Sequence, residues 1–112
     1  LEFRRVLFRS GAEKANGLVI GILKGRNLEE ANEFISIPIL TDIGIARNAI
    51  LAYNCDVALA ISGNYGTLSE IAYAFQLKKP VVGYKTWGIN PIIKAKSPED
   101  VMLKIKKEFM NV

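Results

Sequence analysis

Residues 56–70 read DVALAISGNYGTLSE, an apolar run that passes through a glycine-containing turn directly into a helix start. Residues 57–61 have the length and apolarity of a strand that is buried on both faces. At a helix start, unpaired backbone N–H groups and the positive end of the helix dipole attract anions. Glu70 follows one turn inside the helix, close enough to act on what the turn binds. The stretch therefore predicts an α/β fold with a site for a phosphate-bearing ligand at the end of one strand.

Short apolar runs alternate with helical patterns along the rest of the chain, which is typical of a parallel sheet with crossover helices. Further strands are expected at residues 18–23, 34–39, 81–84 and 92–95, and a polar loop at residues 24–33. Helices are expected from Thr41 or Asp42 to Asn54, over residues 67–78, and from Ser97 onwards. The predicted fold class is therefore α/β, with a Rossmann-like, doubly wound and mostly parallel sheet.

Single residues refine this outline. Ser97 is followed by Pro98 and two acidic residues, which together mark a strong helix start. Thr41 is a candidate helix cap or a candidate ligand contact. Pro38 cannot donate a hydrogen bond to a central ladder, so its strand is expected at a sheet edge. Trp87 follows the strand at residues 81–84; packing is the favoured interpretation of this residue, and a ligand contact is the alternative.

The first ten residues differ in character from the rest of the chain. Residues 1–10, LEFRRVLFRS, resemble translated restriction sites and a sequencing adaptor, and we interpret them as a cloning or adaptor scar. A doubly wound sheet normally opens with a strand, a turn and a helix beside its nucleotide cleft, and no such pattern precedes the strand at residues 18–23. Residues 11–112 are therefore interpreted as the C-terminal part of a single, N-terminally truncated, nucleotide-binding domain.

The composition excludes several kinds of chemistry. The chain has 112 residues, half of them apolar, with no histidine and one cysteine. Without histidine there is no Ser-His-Asp or Cys-His catalysis, and most zinc sites are excluded. A single cysteine forms neither an internal disulfide nor a tetrahedral metal site. We therefore predict no metal site.

Charge and hydropathy limit the partners and the location. The chain has 15 Lys and Arg against 11 Asp and Glu; without residues 1–10 the counts are 12 and 10, too balanced for a nucleic-acid footprint. No apolar run approaches the roughly 20 residues that a membrane-spanning helix needs. No secretory signal pattern opens the chain. A cytoplasmic protein with neither a nucleic-acid nor a membrane partner is expected.

The turn itself is suited to an oxyanion. Gly63 and Gly66 permit a positive φ and a close approach of the backbone. Asn64 is one of the few other residue types that tolerate the left-handed region. Thr67 adds a hydroxyl group, and Tyr65 at the tip either stacks on a base or only covers the turn. The alternative is an ordinary strand-to-helix turn whose glycines relieve strain.

Residues 62–70 resemble the Pro-Gly-Gly-x-Gly-Thr-x-x-Glu motif of the lysine-decarboxylase-like proteins, which include the cytokinin-activating phosphoribohydrolases. The chain is more similar to the molybdenum-cofactor-carrier-like proteins, also described as DNA-processing-protein-A-related. The similar segments are residues 17–23, 31–32, 37–39, 46–48 and 66–72, in the same order. The resemblance covers residues 11–84 and implies a Rossmann-type nucleotide-binding fold in a homo-oligomer, either a dimer or a tetramer.

The motif is kept at some positions and changed at others. The kept residues are Gly63, Gly66, Thr67 and Glu70. Ser62 stands at the first position of the motif, and Asn64 stands at its second glycine. In the phosphoribohydrolases an Arg-Lys pair on the preceding helix works with the motif glutamate. Arg47 matches that arginine, whereas Asn48 stands at the lysine.

The resemblance implies two candidate functions. The first is a carrier or sensor that binds a phosphate-bearing, nucleotide-like ligand, with molybdenum cofactor or a nucleotide as the candidate. Its ligand contacts would be the turn at residues 62–67, Arg47 and Thr41. Without the resemblance, a surface or intrachain ion pair would be the favoured interpretation of Arg47. The second is an enzyme that hydrolyses the N-glycosidic bond of a nucleoside 5′-monophosphate with Glu70 and Arg47. The loss of the lysine at Asn48 favours binding.

Overall fold

A computed structural model describes residues 17–18, 20–23, 25–27 and 35–110 of the chain. Contacts along the backbone divide the protein into two compact units, residues 1–47 and residues 48–112. The predicted scar at residues 1–10 and most of the predicted loop at residues 24–33 lie outside the described residues. None of the helices within the described ranges is long and apolar enough to span a membrane.

The first unit contains a parallel pair of short strands, β1 (Ile20–Leu23) and β2 (Ile37–Leu40). Ile20 lies opposite Ile37, and the register continues to the ends of both strands. Pro38 lies in β2, which pairs only with β1 among the described strands, as expected for a strand that contains proline. Each strand is shorter than predicted at its N-terminal end.

The predicted helix cap at Thr41 or Asp42 is wrong. The Thr41 hydroxyl donates a hydrogen bond to the carbonyl oxygen of Leu23, and the Asp42 N–H donates to Gly25 at 2.9 Å. Both residues therefore form hydrogen bonds at the carboxyl end of β1 and do not cap a helix. A short 3₁₀ turn, Gly44–Ala46, follows without a side-chain cap, and helix α1 (Arg47–Asn54) begins only after it. The sequence pattern could not show this, because the acceptors on Leu23 and Gly25 are distant along the chain.

The second unit is built on a parallel sheet of three strands in chain order: β3 (Ala58–Ser62), β4 (Val81–Thr86) and β5 (Ile93–Ala95). Helix α2 (Tyr65–Gln76) connects β3 to β4 and packs on both, and helix α3 (Pro98–Met110) packs on β4 and β5. The α/β class and the parallel pairing are confirmed. The described strands form two separate sheets, of two and three strands.

The core of the second unit lies between α2 and the sheet. Its buried cluster consists of Ala60, Ile71, Ala74, Val81 and Ile92, with Ala58, Phe75 and Trp87 packed against it. Successive residues of β4 from Val81 to Gly83 are all buried, as expected for a parallel strand that is covered on both faces. Val101 of α3 is also fully buried. This packing holds α2 against β3 and β4.

The capping serine of α3 is confirmed. Ser97 Oγ accepts a hydrogen bond from the Asp100 N–H at 3.0 Å. Asp100 in turn accepts from the Lys104 ammonium at 2.9 Å and from the Lys96 N–H at 2.9 Å. The bond from Lys104, with that from Lys96, lowers the pKa of the Asp100 carboxyl. The helix start is therefore held by the polar groups that predicted it.

Gly83 gives a direct test of this packing. A Cβ atom there would lie 2.6 Å from Ile92 Cγ2 and 2.7 Å from Thr86 Cγ2. We expect Gly83→Ala to lower the free energy of unfolding by about 1–3 kcal/mol, because the added methyl overpacks the core. Gly88→Ala is the matched control, since its Cβ would meet Lys94 Nζ only at an ordinary 3.6 Å. Urea unfolding with equal midpoints for the two variants would contradict the packing described.

Candidate functional site

The turn begins with a left-handed residue at the carboxyl end of β3. Ser62 has φ 69°, and the strand register shifts between Ile61 and Ser62, which pairs with Thr86. The Thr86 hydroxyl donates a hydrogen bond to the Ser62 carbonyl oxygen. This φ suits glycine, and it excludes the proline with which the related motif starts.

From the sequence, a positive φ was expected at the glycines of the turn or at Asn64. None of Gly63, Asn64 and Gly66 has a positive φ, so that part of the expectation is wrong. The shift in strand register between Ile61 and Ser62 explains the difference. The chain leaves the sheet at Ser62, one residue before the first glycine, because the pairing with Thr86 ends the ladder there.

Asn64 caps helix α2. Its backbone is extended, its Oδ1 accepts a hydrogen bond from the Thr67 N–H at 2.7 Å, and its carbonyl oxygen accepts from Leu68 N–H at 3.1 Å. A Cβ atom at Gly66 would meet Asn64 Oδ1 at 3.4 Å, an ordinary contact, so the cap does not itself require glycine there. The helix therefore begins two residues before the predicted start at residue 67.

The cap determines which donors remain for an anion. The Thr67 N–H is already bonded to Asn64. The N–H groups of Tyr65 and Gly66 occupy the first two helical positions and have no intrahelical acceptor. None of the hydrogen bonds between described residues of the turn uses them. Two backbone donors at the positive end of the helix dipole are thus left for a ligand.

Thr67 and Asn48 lie inside the second unit. Thr67 is 1% exposed, and its hydroxyl has no hydrogen-bond partner within the described residues. Asn48 of α1 is 4% exposed and donates from Nδ2 to Ser69 Oγ of α2 at 3.3 Å. The hydroxyl of Thr67 does not face solvent. Asn48 stands where the phosphoribohydrolases carry lysine, and here it makes a buried contact between α1 and α2.

Glu70 borders an apolar cavity. The cavity, of about 220 Å³, is lined by Glu70 and Asn48 together with apolar residues of α1, α2 and β3. Cys55 also lines it and is half-buried. Burial raises the pKa of the Cys55 thiol, and the nearby Lys79 only partly opposes this. The thiol is therefore a poor nucleophile. Glu70 is the one ionisable carboxylate among the lining residues described.

Arg47 and Thr41 have structural contacts in the first unit. The Arg47 guanidinium donates to the carbonyl oxygen of Ile22 in β1 at 2.8 Å, and Thr41 donates to Leu23 in the same strand. The second unit holds the turn and Glu70. Ligand contacts by Arg47 and Thr41 stay predictions from the sequence.

Two aromatic rings meet at the turn. The ring centroids of Tyr65 and Trp87 are 6.4 Å apart, with 25° between the ring planes. Trp87 Nε1 donates to the Asn64 carbonyl oxygen at 3.2 Å. Trp87 packs against the core cluster as predicted, but it also lies beside the turn, which the sequence did not indicate. Its position just after β4, at the carboxyl end of the sheet, was the signal that could have found it.

Asn64 can be tested for its capping role through stability. We expect Asn64→Ala to lower the free energy of unfolding by about 1 kcal/mol, because the Thr67 N–H loses its acceptor. Asn64→Asp should leave stability nearly unchanged, since aspartate caps as well as asparagine. Asn54→Ala, at an exposed site near the end of α1, is the control and should change stability by less than about 0.5 kcal/mol. Equal losses for Asn64→Ala and Asn54→Ala in urea unfolding would count against the cap.

Solved structures similar to this chain include a molybdenum cofactor binding protein and a molybdenum cofactor carrier protein. The molybdenum cofactor binding protein of the phototrophic bacterium Rippkaea orientalis is 35% identical, with a TM-score of 0.84 over 90% of this chain and 68% of that protein. The molybdenum cofactor carrier protein of Chlamydomonas reinhardtii is 28% identical, with a TM-score of 0.81 over 91% of this chain and 68% of that protein.

Sequence comparison agrees with the structural match. An uncharacterized protein of Archaeoglobus fulgidus is 43% identical over 75 residues, which are 67% of this chain. The chain spans about half of that relative, 49% of its length. Residues 7–111 match the SLOG cluster4 family. The resemblance to molybdenum-cofactor-carrier-like proteins is confirmed, and the chain belongs to the SLOG cluster4 family.

Proposed function

We propose that this protein binds a phosphate-bearing, nucleotide-like ligand as a carrier or sensor, with molybdenum cofactor as the first candidate for its cargo. The observation that carries the proposal is the turn between β3 and α2. There the Asn64 cap leaves the N–H groups of Tyr65 and Gly66 for a ligand at the helix start. Its similarity to proteins that bind or carry molybdenum cofactor supports the choice of cargo.

The chemistry of the turn suits a phosphate group. Molybdenum cofactor and nucleotides share a planar heterocycle joined to a phosphate, and a phosphate is the group that a helix start accepts. Contacts from backbone N–H groups do not depend on the identity of the side chains at Tyr65 and Gly66. The changes from the related motif at Ser62 and Asn64 therefore leave these two donors in place. A homo-oligomer, implied by the family resemblance, and a cytoplasmic location, expected from the composition of the chain, are further proposals.

Binding is favoured over hydrolysis by the position of Asn48. This residue is buried and bonded to Ser69, so a lysine there would place an ammonium group in a desolvated layer. The carboxylate of Glu70 would then have to act without the cationic partner that the phosphoribohydrolases use. A carrier needs no such group.

We therefore expect no release of adenine when the protein is incubated with AMP, as followed by chromatography over hours at neutral pH. The physical reason is the absence of the lysine that assists cleavage in the phosphoribohydrolases. The Glu70→Gln variant is the matched control. Adenine release by the unmodified protein that disappears in Glu70→Gln would replace the carrier proposal by the hydrolase.

Binding itself is tested by calorimetric titration with AMP, a phosphorylated pterin and inorganic phosphate. We expect the Asn64→Asp variant to bind AMP on the order of 10-fold more weakly, because it adds a negative charge beside the N–H donors without removing the cap. Asn54→Asp adds the same charge at the end of α1, beyond the opposite end of β3, and should bind as the unmodified protein does. Equal AMP affinity in the two variants, or no binding of any phosphate compound by folded protein, would overturn the proposal.

A further inference from the structure

Tyr65 and Trp87 form an aromatic pair at the edge of the turn. Their ring centroids are 6.4 Å apart and their planes differ by 25°, a nearly parallel arrangement. Trp87 is the only tryptophan in the sequence. Both residues belong to the second unit, so the pair is defined within one compact body. We call these two rings the aromatic platform.

Trp87 is the fixed member of the platform. Its Nε1 donates to the Asn64 carbonyl oxygen at 3.2 Å, and its ring packs against the core cluster of the sheet and α2. A Cβ atom on Gly63 would lie 4.0 Å from Trp87 Nε1, so the turn passes close to the indole without a side chain between them. The indole therefore has a defined position relative to the turn.

Tyr65 is the exposed member. It is 83% exposed, although it is a large aromatic residue at the first position of α2. Neither helix propensity nor capping requires an aromatic residue there. No hydrogen bond of its hydroxyl is present within the described part of the chain. The core gains little from this ring, which leaves it available to a ligand.

We propose that the exposed ring of Tyr65, supported by Trp87 in the aromatic platform, stacks on the planar heterocycle of the ligand, a pterin or a purine, while the adjacent N–H groups of Tyr65 and Gly66 hold its phosphate. This inference rests on the proposed function, since the same turn supplies both contacts. Stacking on an aromatic ring needs a flat conjugated surface and no particular pattern of donors. The ligand class is therefore a phosphorylated flat heterocycle, and a sugar phosphate alone would make only half of the contacts.

The test compares AMP with ribose 5-phosphate, which lacks the heterocycle. We expect the unmodified protein to bind AMP about 10-fold more tightly than ribose 5-phosphate, in line with the contribution of base stacking on aromatic side chains in nucleic-acid-binding proteins. In Tyr65→Leu the ratio of the two affinities should fall to about 1, whereas Tyr65→Phe, which keeps the ring, should preserve it. Tyr53→Leu is the matched control, because Tyr53 is a similarly exposed tyrosine, on α1, and its loss should leave the ratio unchanged.

A second readout is the indole N–H signal of Trp87, a single resonance because the chain has one tryptophan. We expect AMP and adenosine to shift this resonance, and ribose 5-phosphate to shift it much less. Equal affinities for AMP and ribose 5-phosphate in the unmodified protein would overturn the platform and leave the phosphate turn standing. A shift with adenosine, in the absence of any binding of phosphate or ribose 5-phosphate, would overturn the phosphate turn and support the platform. No binding of any of these compounds would overturn both.

Discussion

The carbonyl oxygen of Ser62 accepts a hydrogen bond from the Thr86 hydroxyl at the ends of β3 and β4. That contact and the left-handed φ of Ser62 end the parallel ladder at this residue. Because the chain leaves the sheet there, Asn64 reaches an extended conformation in which its side chain caps α2. The same connection brings Trp87, just after Thr86, beside the carbonyl oxygen of Asn64. The ends of β3 and β4 thus determine both where α2 begins and where the Trp87 ring lies.

The polar residues that depart from the related motif have structural roles. Asn64 replaces a glycine and caps the helix, at the cost of one backbone donor that glycine would leave for a ligand. Asn48 replaces a lysine and lies in a buried contact with Ser69. The first change removes a backbone donor and the second removes a cationic side chain. The N–H groups of Tyr65 and Gly66, at the first two positions of α2, still have no intrahelical acceptor. These roles agree with the proposal of ligand binding, in which the backbone donors make the contacts.

Local patterns predicted much of this fold, and contacts between distant residues account for what they missed. The serine cap of α3 and the parallel strands follow from short stretches of sequence, and the structure has both. The role of Thr41 could not be predicted, because its partner is the carbonyl oxygen of Leu23 in a separate strand. The φ of Ser62 depends on Thr86, which is 24 residues away. For Trp87 the sequence favoured packing over ligand contact, because the stretch around it does not show that β4 ends beside the turn.

The two kinds of contact at this turn also bear on how a cargo would be released. Backbone N–H groups and aromatic stacking are short-ranged, and neither requires a buried charge on the protein. Tyr65 is exposed, so the ligand would stay in contact with solvent on at least one side. For a ligand held in this way, the free-energy cost of desolvation on binding would be small. No closed cavity would have to open for the ligand to leave. Deep enclosure by many directional groups would favour tight retention, so under the proposed function an open turn with an aromatic platform would favour release of the ligand.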